Sequence, residues 1–165
     1  MQTATILLLP DPALRRLCTP VDPGDPAWIA LADVLLATMR AARGLGLAAP
    51  QVGISQRVAV IEVAGEDLVL ANPRLVRSRS VQVGWEGCLS VPNLVAAVPR
   101  ASEVVVETLD REGRTIRLRR DGLSARAILH ELDHLDGRLY VDLVPARALV
   151  DTREHPTPPT RPPRG

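Results

Sequence analysis

The segment His130-Glu131-Leu132-Asp133-His134 sets two histidines four residues apart with an acid between them. On a helix this spacing stacks both imidazoles on one face, one turn apart, where they can grip a single metal ion. Glu131 leaves the helix beside that stripe, so its carboxylate can take a proton from water without being a ligand. The plainer alternative is an amphipathic helix with exposed histidines. A tetrahedral catalytic site needs a third protein ligand and one open position. Two common ways of completing it fit this chain poorly. The extended pattern H-E-x-x-H-x-x-G-x-x-H finds Gly137 in register but Tyr140 where its last histidine belongs. The other uses a downstream glutamate, and Glu154 lies in a stretch expected not to pack.

Upstream, Cys88 sits in Glu86-Gly87-Cys88-Leu89-Ser90. A thiolate suits a borderline-soft dication, whereas a lone cysteine is otherwise a small buried hydrophobe, which is the reading adopted for Cys18. Further upstream lies Gly44-Leu45-Gly46-Leu47-Ala48-Ala49-Pro50-Gln51. Without lysine it makes a weak phosphate loop. Its glycines point instead to close approach of an extended ligand backbone. Gln51 offers a neutral amide donor that can stabilise charge on a carbonyl oxygen as water adds to it, or else serves as an ordinary turn residue.

These residues need elements to hold them. Asp25-Pro26 reads as a cap and first turn, and Ile29, Val34, Leu35, Leu36 and Met39 broadly keep helical spacing, predicting a helix to about Ala42 that Gly44 stops. Between Arg57 and Leu118 the pattern changes to short β-branched runs, Val58-Ala-Val-Ile, Leu68-Val-Leu, Val104-Val-Val and Ile116-Arg-Leu, with Asp110-Arg-Glu-Gly113 closing an antiparallel hairpin. A second helix is expected from Leu123 or Ser124 to Gly137, carrying Ile128, Leu129, Leu132 and Leu135. The residues before Gly24 read as an extended segment wrapped on the body. The order helix, strands, helix predicts an α+β domain, spanning residues 1–148. Residues 149–165 are too rich in proline and too poor in apolar side chains to pack, and are expected to form a disordered or extended tail.

At 165 residues and 46% hydrophobic content the chain suffices for one core without a staple. With no phenylalanine, that core must be built from Leu, Val, Ile and Ala. The net charge is +1 with both signs interspersed, so no basic block marks a nucleic-acid or membrane partner. All 20 basic residues are arginine, which codon composition explains more cheaply than phosphate binding. Two cysteines in unlike contexts make no disulfide framework, nothing resembles a secretory signal, and no apolar run reaches bilayer length. A cytoplasmic setting is the default expectation.

Taken in chain order, the Gly44–Gln51 segment, E-G-C-x-S and H-E-x-x-H resemble the three motifs of the peptide deformylase family. The resemblance extends from about Leu9-Pro10-Asp11 to Tyr140-Val141-Asp142. It implies an α+β fold with short antiparallel β-sheets packed around a central C-terminal helix that carries H-E-x-x-H. It makes Cys88, His130 and His134 ligands of one divalent metal, Fe2+ in the active form with Zn2+ or Ni2+ as isolated alternatives. Glu131 becomes general base and acid, with Gln51 and the Leu89 backbone N–H stabilising the oxyanion. The substrate implied is the N-formyl-Met end of a nascent polypeptide, laid as an added strand against the backbones of Leu45, Gly46 and Gly87, with Leu45 and Arg126 near an apolar pocket for the methionine side chain. The implied enzyme is a cytoplasmic monomer working near the ribosome exit.

Glu86, Arg100 and Asp133, complementary in charge, are expected to form one cluster tying the second motif to the metal helix. The chain departs from the family in three ways: Leu129 where glutamine commonly precedes the first metal histidine, Val95 where some members have arginine, and no long C-terminal helix of the kind some bacterial members carry. Two competing readings are an endopeptidase with the same metal logic and a degenerate metal-binding protein that sequesters formylated peptides.

Overall fold

A computed structural model of the chain describes residues 2–154. Helix α1 (Ala27–Ala41) begins where the Asp25 side chain accepts a hydrogen bond from the Ala27 N–H at 2.9 Å. It buries Trp28, Leu31, Ala32, Leu35, Leu36 and Met39 as a single stripe. The helix gives way through Arg43, in the left-handed region, to the short strand β1 (Gly46–Ala48). A 3-10 turn (Ala49–Val52) and strand β2 (Val58–Val63) follow.

Strands β3 (Glu66–Cys88) and β4 (Val91–Leu109) form a long antiparallel hairpin, and the Asp110–Gly113 turn leads into β5 (Thr115–Asp121). Helix α2 (Gly122–Leu135) comes next. The sheet runs β1-β2-β3-β4-β5, so β1 is an edge strand. The α+β expectation is met. The strands, however, far outrun the short β-branched runs legible in the sequence. From Arg74 to Val83 most of β3 is exposed, Leu75, Val76, Val81 and Val83 included, and ladder hydrogen bonds hold it without a buried apolar face.

The two helices cover opposite faces of β2. Val58 and Val60 join the α1 stripe, while Ala59 and Ile61 join Ile128, Leu132 and Leu135 of α2. All four β2 residues are fully buried, which is why Val58-Ala-Val-Ile reads as a continuous apolar run. Helix α2 ends before Gly137, whose φ is +72° and where a Cβ would lie 2.6 Å from the Arg15 carbonyl oxygen. The N-terminal segment runs alongside as expected, with the Leu7 and Leu9 N–H groups donating to the carbonyls of Gln51 and Ser90.

One expectation needs correcting. The chain does not leave the body at Ala148: strand β6 (Val150–Asp151) pairs antiparallel with β4, placing Asp151 opposite Leu94 and Val150 opposite Val95. The Thr152 N–H then donates to the Asn93 carbonyl at 2.9 Å. Two residues of strand suffice because β4 presents a free row of backbone groups there. The remainder of the expected tail, 155–165, lies outside the described residues. No helix among the described residues is long and apolar enough to cross a membrane.

Candidate metal centre and active-site cleft

Cys88 closes β3, at a register shift between Gly87 and Cys88 that precedes the turn into β4. His130 and His134 project from α2 toward it, because Ile128, Leu132 and Leu135 bind the opposite face of that helix into the core. The Cys88 Sγ and His134 Nε2 are 3.3 Å apart, and the three potential ligand atoms lie within 4.8 Å of one another. Tetrahedral bonds of about 2.0 Å to nitrogen and 2.3 Å to sulfur put ligand atoms at such separations. The donor set, a soft sulfur and two imidazoles, fits a first-row divalent cation.

Glu86 accepts a hydrogen bond from His130 Nδ1 at 2.9 Å, which turns Nε2 of that ring inward. Arg100 holds both Glu86 oxygens, at 2.9 and 3.0 Å, and also bonds Asp133 on α2. Strand β3, strand β4 and helix α2 are therefore joined by one buried ionic network behind Cys88, His130 and His134. Arg126 adds a bond of 2.7 Å to Glu86 and donates to the Val98 carbonyl at 2.9 Å. Its guanidinium is thus spoken for by this network even though the residue borders the cleft. Burial alone would raise the Glu86 carboxyl, but hydrogen bonds from His130 and Arg100 outweigh it and hold the group at about 2. Burial would likewise depress His130, yet the hydrogen bonds to Cys88 and Glu86 and the nearby Glu131 carboxylate bring it up to about 10 in the metal-free chain. His134 is pushed down by burial and by its charged neighbours.

Glu131 is 3% exposed, and burial raises its carboxyl to about 7. Its Oε2 has no hydrogen-bond partner among the described residues, nor has His134 Nδ1. Gln51 is fixed by a bond from the Ala48 N–H to its Oε1 at 2.9 Å. That leaves its Nε2 facing Ser90 Oγ at 3.0 Å and Cys88 Sγ at 3.5 Å.

Gln51, Glu86, Cys88, His130 and Glu131 line a cleft of about 360 Å³. Leu45, Gly46 and Gly87 border it as well, as does Leu89, so the residues singled out for substrate contact fall on its walls. Sequence reasoning missed Trp85, Asn93, Leu94 and Thr152 on the same walls. Thr152 carried no signal, since it lies in a stretch whose composition argued against packing. Asn93 did carry a weak one: with φ +64° it lies within β4 where the strand bulges between Val91 and Val95.

An H-E-x-x-H helix facing a cysteine, with a buried acid at the head of a cleft beside an edge strand, defines the class of metal-dependent amide hydrolases. Within it, the polypeptide deformylase family model matches residues 3–148, and the chain belongs to that family. A peptide deformylase of Thermomicrobium roseum is 43% identical over 159 residues, covering 91% of this chain and 90% of that one. Peptide deformylase 2 of Xanthomonas campestris is 46% identical over 148 residues, covering 86% and 87%. Among solved structures, the Legionella pneumophila peptide deformylase is 41% identical with a TM-score of 0.84 and 88% of each chain covered. The Synechococcus elongatus enzyme in complex with actinonin is 41% identical with a TM-score of 0.83, covering 87% of this chain and 80% of that one. The chain is thus a hydrolase that removes the N-formyl group from nascent polypeptides.

Proposed function

We propose that Glu131 carries the proton traffic of this deformylation, with Cys88, His130 and His134 holding the divalent cation and Gln51 and the Leu89 N–H receiving the negative charge that builds on the formyl oxygen. The observation that carries this reading is the buried Glu131 carboxylate, with one oxygen unpartnered, beside a Cys/His/His donor set at the head of the cleft. The cation, when bound, supplies Lewis acidity toward the formyl carbonyl and lowers the pKa of water. Glu131, raised to about 7 by burial, takes a proton from the attacking water and returns it to the departing amine near neutral pH. Formate and a free amino terminus result. The open edge of β1 supports docking of the peptide as an added strand along Leu45 and Gly46, with Gly87 opposite. Glu86, Arg100 and Asp133 hold the ligands in orientation from behind. Arg126 closes the methionine pocket while paired to Glu86.

The reading extends to ferrous iron as the metal of the active form, since iron accepts a fifth ligand more easily than zinc, with zinc or nickel in aerobic preparations. It extends also to a monomer acting in the cytoplasm near the ribosome exit, without direct nucleic-acid or membrane contact. Residues 1–148 hold every group of the scheme, and beyond them Thr152 borders the cleft. The test is formate release from formyl-Met peptides by protein of measured metal content, compared with Glu131→Gln. The amide keeps the shape and removes the proton acceptor, so metal content should hold while kcat falls at least ~10²-fold. Near-normal turnover at full occupancy would remove Glu131 from the role.

A further inference from the structure

Gly44 and Gly46 read most simply as clearance for a ligand backbone, yet each lies against a side chain from another motif. A Cβ built on Gly46 would lie 2.3 Å from Glu131 Oε1, 2.9 Å from its Cδ and 3.2 Å from its Cγ. One built on Gly44 would lie 2.7 Å from the Leu89 Cδ1. Gly46 has no positive φ, so its backbone conformation suits any residue. What the position excludes is volume.

We propose that Gly46 is a positioning residue for Glu131: its missing side chain is the space in which the carboxylate stands, so that the first motif sets the geometry of the acid in the third. The inference rests on the reading of Glu131 as acid and base. Neither backbone can yield to relieve a methyl at position 46. Gly46 is laddered to Ile61 of β2, and its neighbours Leu47 and Ala48 are fully buried. Glu131 stands on α2, which Ile128, Leu132 and Leu135 lock into the core. The only movable group is the carboxylate end of Glu131, which must swing away from its present position. The fold should therefore survive the substitution and the proton transfer should not, since a displacement of about 1 Å at a reacting group costs on the order of 10²-fold in rate.

The experiment measures kcat, KM and metal content for Gly46→Ala, Glu131→Asp and the double variant. Gly46→Ala should lower kcat by roughly 10²-fold while KM and bound metal stay close to the parent values. In the Glu131→Asp background the oxygen that would lie 2.3 Å from the new methyl is drawn back by one methylene, so adding Gly46→Ala should cost less, a non-additivity that reports direct contact. Equal losses in both backgrounds, or a loss confined to KM or to metal content, would overturn the proposal. Should Gly46→Ala fail to fold, Gly46→Ala/Glu131→Ala decides: recovery of folded protein supports the contact, and continued failure refutes it. The two readings fail separately. Full activity in Glu131→Gln would remove the acid–base role, whereas full activity in Gly46→Ala with Glu131→Gln inactive removes the positioning alone.

Discussion

In the metal-free chain the His130 ring stands between Cys88 and Glu86. Its nitrogens face the Cys88 sulfur and the Glu86 carboxylate, and these hydrogen bonds, overcoming the burial that would depress it, bring the imidazole to about 10. At neutral pH the metal-free ring is therefore protonated. An entering cation competes with that proton, so metal uptake must release it. The sign follows: apparent metal affinity should rise with pH through the neutral range, by about tenfold per unit for each proton displaced. Titration calorimetry of the apo-protein in buffers of different ionisation enthalpy checks this. Binding heats should differ between buffers by at least one proton's worth, and heats independent of buffer would contradict the assignment of that proton to the site. His134, pushed down by burial, contributes no such proton.

Strand β6 shows how a very short element can shape the cleft. Val150 and Asp151 extend β4 at Val95 and Leu94, and the next residue, Thr152, reaches the cleft wall. Ending the chain at Leu149 should therefore raise KM for formyl-Met tripeptides severalfold and leave kcat nearly unchanged, because none of the proton-transfer groups is touched. Steady-state kinetics on peptides of increasing length measure this. An unchanged KM at every length would show that β6 only covers a sheet edge. Val95 itself, where some family members carry arginine, pairs with Val150 through its backbone and also lines the cleft.

Taken whole, the molecule has apolar layers on either side of β2 and a third cluster around Ala96, Val98, Leu139 and Tyr140, with the Glu86–Arg100–Asp133 network tying β3 and β4 to α2. Arg100→Met would leave two buried carboxylates without their shared cation. The cost should be about 3–5 kcal/mol of stability and roughly 10- to 100-fold in metal affinity, read from denaturant midpoints and metal competition. The same network sets the acid limb. Burial opposes the ionised Glu86, but His130 and Arg100 lower it to about 2 from an ordinary 4.5. Its folded-state pKa is depressed, so this contribution is complete above pH 4.5 and is lost as pH falls toward 2. With Arg100 gone that depression shrinks, and acid unfolding should begin at higher pH in Arg100→Met. An unshifted acid midpoint would argue that Arg126 and His130 alone hold Glu86.

The sequence by itself determined the family and the reaction, and it named the candidate residues for it. The i, i+4 spacing of His130 and His134 needs only a helix to bring two imidazoles together, and that helix is written in Ile128, Leu132 and Leu135. The apolar run of β2, the Asp110–Gly113 turn and the α+β order were legible for the same reason: local periodicity and turn chemistry encode them. The exposed length of β3 was not, because ladder hydrogen bonds hold it and no buried apolar face marks it. Nor was β6, which exists only because an edge of β4 is there to receive it. Complementary charge suggested Glu86, Arg100 and Asp133 as a group, but their meeting, and the sharing of Glu86 with Arg126, depends on three elements converging. The fit of Gly46 around Glu131 was beyond reach of the sequence altogether. A glycine advertises missing volume, and only the packing of β1 against α2 decides what occupies it.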